Sequence, residues 1–166
     1  MNAIIELKDL SKTYASGLNA LKGVTFDIQR GEILALLGPN GAGKSTMLHM
    51  LSGFLKPASG EVRVCGEPAW QNPGMYARVG LVPEREAVYP FLTGFEFVLL
   101  AAKLHKLPNP EDAARQAIKV VELEGAADRA TGGYSKGMKQ RVKIAAALVH
   151  EPEILLLDEP FNGADP

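Results

Sequence analysis

Three short stretches of this 166-residue chain hold residues that could do chemistry. The first, GPNGAGKS from Gly38 to Ser45, has the form G-x-x-x-x-G-K-S and is followed by Thr46. Its glycines, Gly38, Gly41 and Gly43, alternate with Pro39, Asn40 and Ala42, and let successive backbone amides wrap a run of phosphates. Lys44 is then spaced to reach the β- and γ-phosphates of a nucleoside triphosphate, and the Ser45 hydroxyl to ligate Mg²⁺. The second stretch, ILLLDEP, ends an apolar run in Asp158 and Glu159, where carboxylates are costly unless they meet a cation or another partner. Asp158 suits the metal shell through water, and Glu159 suits positioning and deprotonating an attacking water. An apolar strand ending in acids is common by itself; downstream of a phosphate loop it is far more specific. The third stretch, YSKGMKQR at 134–141, opens with a capping serine, Ser135, and a glycine, Gly137, at the mouth of a helix.

These residues need elements to position them. NAIIELKDL and GVTFDIQ alternate as strands, the latter with Val24, Phe26 and Ile28 on one face. EILALLG has no alternation, which predicts a strand buried on both faces leading into the glycine loop. Met47, Met50, Leu51 and Phe54 then recur at helical spacing, so the loop should open a helix. EVRVCGE and VGLVPE read as further short strands, the first placing the single cysteine, Cys65, as a buried inert thiol. Thr93 with Glu96 makes a capping box ahead of FVLLAAKLHK, and Asn109-Pro110 with Asp112 opens a second helix through Ala113, Ile118 and Val121. Residues from about 86 to 136 are thus a helical insertion. A third helix follows YSKGM, and EILLL forms a last strand.

Composition narrows the partners without naming one. Eighteen basic against nineteen acidic residues give a net charge of −1, far from the basic stripe of a nucleic-acid binder. No apolar run reaches the roughly 18 residues needed to span a bilayer, so any link to a membrane should run through a partner.

The order of these pieces carries a resemblance. Phosphate loop, helical insertion, YSKGMKQR, then ILLLDEP with NGADP just after resembles the nucleotide-binding domain of ATP-binding cassette (ABC) proteins over essentially the whole of residues 1–166. It implies an α/β fold: a P-loop NTPase core with an N-terminal antiparallel β subdomain and a helical insertion subdomain. It implies ATP and Mg²⁺ as ligands and a head-to-tail dimer with a second ATP-binding subunit; YSKGMKQR resembles the family's signature motif, in which Ser135 and Gly137 contact the γ-phosphate of ATP held by the opposing chain. Tyr14 matches the aromatic that stacks on adenine, Asp165 the loop that crosses the dimer interface, and Glu84 the Mg²⁺-sensing position. Transmembrane permease subunits and a peripheral place on the cytoplasmic face of the cell membrane follow from the same resemblance. VYPFLTGFEFVLL, with Phe91, Phe95 and Phe97, is either the groove for a membrane subunit or simple core filling.

The chain departs from the family pattern in three ways. Glu84 stands where glutamine is usual, a trait of bacterial exporter-type relatives; Ala164 replaces the commoner leucine. The expected further strand and switch histidine do not follow Pro166, which reads as a C-terminally truncated cassette. His49, His105 and His150 do not occupy the switch position, and solvated or helix-end roles are expected of them. The leading expectation is an ATPase subunit powering transport. A soluble ABC ATPase uncoupled from transport, or a truncated module that binds without hydrolysing, are the alternatives.

Overall fold

Alternation in the first thirty residues produces two long antiparallel strands, β1 (Ala3–Thr13) and β2 (Asn19–Gln29), in register at Ile5 with Ile28 and Leu7 with Phe26. The computed structural model describes residues 3–84 and 88–160. They fall into two units, Met1–Tyr76 and Ala77–Pro166.

In the first unit β1 is flanked on its other edge by β3 (Ser59–Val64), which turns back into the two-residue β4 (Glu67–Pro68), for a sheet order β2-β1-β3-β4. Helix α1 (Lys44–Leu51) packs on β3 and β2. Leu7, Leu10, Val62 and Val64 from the sheet and Met47, Leu48, Met50 and Leu51 from the helix are buried, each large side chain contributing roughly 1.5–3 kcal/mol. Val24, Phe26 and Ile28 share the half-buried face of β2, as their spacing requires.

Three expectations need correction here. EILALLG forms no strand: Ile33 is fully exposed and Leu37 is 91% exposed. A buried strand must satisfy its backbone groups on a neighbour, and among the described residues no segment pairs with this one. Phe54 lies beyond the end of α1 and is exposed. Cys65 is not in a strand interior but in the Cys65-Gly66 turn joining β3 to β4, half-buried, with φ of 54° and 81°. Positive φ at both central residues is the twist that a two-residue hairpin requires.

The second unit pairs two parallel strands, β5 (Val79–Val82) and β6 (Ile154–Leu157), register Val79 with Ile154 through Val82 with Leu157. Between them in sequence run α2 (Gly94–Leu104), α3 (Pro110–Val120) and α4 (Lys136–Leu148). The three helices share one core of Val98, Ala102, Ala114, Ile118, Val142 and Ala145, whose small residues let the helices approach closely. The predicted capping box opens α2: Thr93 Oγ1 accepts from the Glu96 amide at 3.1 Å, and the Glu96 carboxylate accepts from the Thr93 amide at 2.8 Å. Pro110 begins α3, where a missing N–H costs nothing. No helix among the described residues is long and apolar enough to cross a membrane.

Candidate functional site

The phosphate loop lies wholly in the first unit. Gly38, Gly41 and Gly43 have φ of 156°, 83° and 90°, backbone that only glycine adopts readily. At Gly43 a side chain is excluded twice over, since a Cβ would lie 2.5 Å from the Ala20 carbonyl oxygen. Gly43 also caps α1 and, being glycine, makes no side-chain cap bond at the helix mouth. The opening turn of a helix has no intrahelical acceptors for its own amides, so this loop presents a row of donors with the positive end of the helix behind them. Lys44 Nζ turns onto the loop itself, donating to the carbonyls of Gly38 at 2.8 Å and Pro39 at 3.1 Å. A phosphate oxygen at the same place would be a charged acceptor and a stronger one. Tyr14 joins this loop: its hydroxyl is 3.0 Å from Thr46 Oγ1, in the first turn of α1.

The second unit holds Glu84, Ser135, Gly137, Asp158 and Glu159. Parallel pairing brings the C-terminal ends of β5 and β6 together, and the Asp158 amide extends the ladder by donating to the Val82 carbonyl at 2.9 Å. Asp158 is only 6% exposed, whereas Glu159 is exposed with φ 48°. Glu84 follows Pro83 at the end of β5, half-buried. Arg85–Ala87 and Asp165, with the rest of NGADP, lie outside the described residues.

Ser135 caps α4 as its position predicts, its Oγ accepting from the Met138 amide at 3.2 Å. A hydroxyl that accepts one bond can still donate its proton elsewhere. Nothing inside the described chain demands glycine at 137: the backbone is ordinary, and a Cβ there would meet only Ser135 Oγ at 4.0 Å. The phosphate loop with Tyr14 therefore lies in one unit, and Ser135, Gly137, Asp158 and Glu159 in the other.

Sequence reasoning missed two residues of the second unit, Tyr134 and Lys143. Tyr134, beside the signature serine, is buried and donates its hydroxyl to the Ala126 carbonyl at 2.6 Å; it packs against Gly94, where any Cβ would collide with that hydroxyl. Burial raises its phenolic pKa. Lys143 interrupts the apolar run VKIAAAL, the signal that could have singled it out. Its Nζ donates to the carbonyls of Pro83 at 3.1 Å and, more weakly, Glu84 at 3.5 Å, tying α4 to the end of β5.

Two of the histidines also make a contact that the sequence does not predict. His105 and His150 stack face to face, centroids 3.7 Å apart and planes within 6°, and both line a pocket of about 270 Å³ with Tyr89, Phe97, Leu104 and Lys143. His105 is the exposed C-cap residue of α2, as expected of a helix end, whereas His150 is half-buried just beyond α4. Burial lowers the pKa of His105, and burial first, then the His105 charge, lowers that of His150. Both ring nitrogens of His150 are buried without a hydrogen bond of regular geometry among the described residues; the Val79 backbone, close enough to favour the proton, offsets only part of that penalty. Of the three phenylalanines, Phe91 is 76% exposed, while Phe95 and Phe97 pack against the helical core.

A profile described as ABC transporter matches residues 21–162, spanning the phosphate loop, the capped helix α4 and the acidic end of β6. The chain belongs to the ABC transporter family. Among ABC relatives it is 38% identical to the bacitracin transport ATP-binding protein BcrA of Bacillus licheniformis, covering 100% of this chain and 54% of that protein. It is 39% identical to the spermidine/putrescine import ATP-binding protein PotA of Legionella pneumophila (strain Philadelphia 1), covering 98% and 45%. Two solved ABC structures share the fold. One is cbiO1 of Clostridium perfringens, part of the ABC transporter complex cbiONQ, with TM-score 0.89, 34% identity, and coverage of 100% of this chain and 69% of that one. The other is the dimeric post-hydrolysis state of the ATP-binding cassette MJ0796 bound to ADP and Pi, with TM-score 0.86, 32% identity and coverage of 97% and 76%. The chain spans about half the length of the curated relatives it matches. The fold is that of an ABC ATPase cassette.

Proposed function

We propose that this chain is the nucleotide-binding part of a transport ATPase, binding MgATP, dimerising through it and hydrolysing it to drive a membrane partner. The observation that carries this reading is the phosphate loop. Three glycines at positive φ, a helix mouth capped by glycine and a lysine that donates to the loop's own carbonyls form a phosphate cradle. Residues Gly38 to Thr46 hold the phosphates in this reading, and Tyr14 supports the adenine.

Ser45, Asp158 and Glu84 would hold Mg²⁺. They offer only oxygen donors, the donor set that a hard divalent cation prefers. Bound there, the ion would supply neutralising charge on the phosphate oxygens. Glu159 orients the attacking water and takes its proton, and Lys44 stabilises charge on the β- and γ-oxygens. Ser135 and Gly137 serve ATP on the opposing chain, with Asp165 at the crossing between chains. The open surroundings of Gly137 support this, because a glycine that its own chain does not need is explained by a ligand that comes close. The exposed Tyr89 and Phe91 are where a permease subunit would engage, and the protein would then sit peripherally on the cytoplasmic face of the membrane. The helical segment of about 86–136 is the insertion that carries this contact.

Mixing two inactive full-length variants tests the arrangement. Ser135→Arg blocks the signature and Lys44→Ala the loop; in a mixed dimer both lesions fall in one site, leaving the other whole. ATPase activity should reappear on mixing. With subunit exchange demonstrated and single-site turnover established, continued inactivity would refute a signature acting across the dimer. Glu159→Gln should retain nucleotide binding while losing turnover, and unchanged turnover would assign the base elsewhere.

A further inference from the structure

Tyr14 is held at more points than an exposed aromatic needs. Its amide donates to the Leu18 carbonyl and its carbonyl accepts from the Gly17 amide, both at 2.9 Å, so the turn between β1 and β2 fixes its backbone. Its hydroxyl meets Thr46 Oγ1 at 3.0 Å. Lys12 Nζ lies over the ring, 5.6 Å from its centroid, and is itself anchored by donating to the Lys56 carbonyl at 2.7 Å. Tyr14 keeps 36% of its surface exposed, and its hydroxyl bond faces solvent. Burial alone does not account for the arrangement.

Resting on the reading of Tyr14 as the adenine platform, we propose that Lys12 and Thr46 are positioning residues that fix the Tyr14 ring before nucleotide arrives. The cation covers one face and leaves the other for the purine. The hydroxyl bond joins the ring to the first turn of α1, two residues from Lys44, and so sets the span between the base and phosphate subsites. A ring already immobilised loses little further freedom when a base stacks on it, and that saving appears as affinity. The benefit reaches only ligands that carry a base. Inorganic tripolyphosphate, which uses the loop alone, gains nothing from it.

Calorimetric titration of the full chain with MgATP and with Mg-tripolyphosphate separates the two parts. Tyr14→Ala should remove most of the advantage of ATP over tripolyphosphate. Tyr14→Phe, which keeps the ring and loses the hydroxyl, should weaken ATP roughly three- to tenfold, the worth of one hydrogen bond, and leave tripolyphosphate unchanged. Lys12→Met should weaken ATP by roughly threefold with the same selectivity. In a Thr46→Val background, Tyr14→Phe should have no further effect. If Tyr14→Ala loses affinity but Tyr14→Phe and Lys12→Met bind ATP as the parent does, the platform stands and the positioning proposal falls. If Tyr14→Ala also binds normally, the adenine reading falls with it. Equal losses for ATP and tripolyphosphate would mean that the residues support the loop rather than the ring, and would overturn the proposal.

Discussion

The two units build their candidate site residues in opposite ways. In Met1–Tyr76 the site is backbone conformation and exposed side chains: glycines at positive φ, a lysine on loop carbonyls, a tyrosine on a threonine. In Ala77–Pro166 the corresponding residues hang on packing. Ser135 follows the buried Tyr134, Asp158 ends a paired strand at 6% exposure, and α4 is tied by Lys143 to the end of β5. A site made of backbone can lose function without losing stability, whereas a site hung on a core loses both together.

Lys44→Ala is the largest test of that contrast. It should reduce MgATP affinity by about a hundredfold or more, since the loop amides cannot replace a positioned charge, while the thermal midpoint of the nucleotide-free protein stays unchanged. A large fall in the midpoint would show that the loop carries folding energy after all. The converse change is Gly94→Val. Here a side chain must displace the Tyr134 hydroxyl, so the second unit should lose roughly 1–3 kcal/mol of stability, read by denaturant unfolding, and Ser135 should be displaced with its neighbour. Unaltered unfolding would break the claim that the signature depends on this packing.

The histidine pair sharpens the contrast through pH. Both groups have folded pKa values below their ordinary 6.5, so the unfolded chain binds more protons between the two values. Stability contributed by the pair is present above pH 6.5 and is lost as pH falls from there toward the folded pKa. Besides each other, the titratable groups in their pocket are Lys143 from α4 and Tyr89 ahead of α2; β5 offers only apolar residues there. His105→Phe with His150→Phe keeps two stacked rings without a titrating nitrogen and should flatten the stability profile between pH 5 and 7. A profile as steep as that of the parent would assign the slope to other groups. The smallest expected effect is Ile33→Thr, where a fully exposed side chain should change the stability of this 166-residue chain by less than about 0.5 kcal/mol. A loss above about 2 kcal/mol would show the segment buried in the folded protein and remove the difference between the units at that point.

Features set by neighbours a few residues apart were legible in the sequence. The capping box at Thr93 and Glu96, the cap at Ser135, the proline opening of α3 and the glycine loop all depend on local geometry, and all formed. β1 and β2 alternate and pair across a short turn, so their pattern also sufficed. The apolar run 32–37 shows the limit of such reading. Hydrophobicity makes it eligible for a strand, but only a hydrogen-bonded neighbour makes it one, and that neighbour is not written in the run itself.

By itself the sequence determined the glycine conformation of the phosphate loop, the family, and the caps that start α2 and α4, because each rests on residue type at fixed spacing. Tertiary structure alone decided that His105 and His150, forty-five residues apart, share one pocket, that Tyr134 locks against Gly94, and that the Tyr14 hydroxyl reaches Thr46. Those contacts join distant positions, and whether a buried nitrogen or an exposed ring finds a partner depends on which elements the chain brings alongside it.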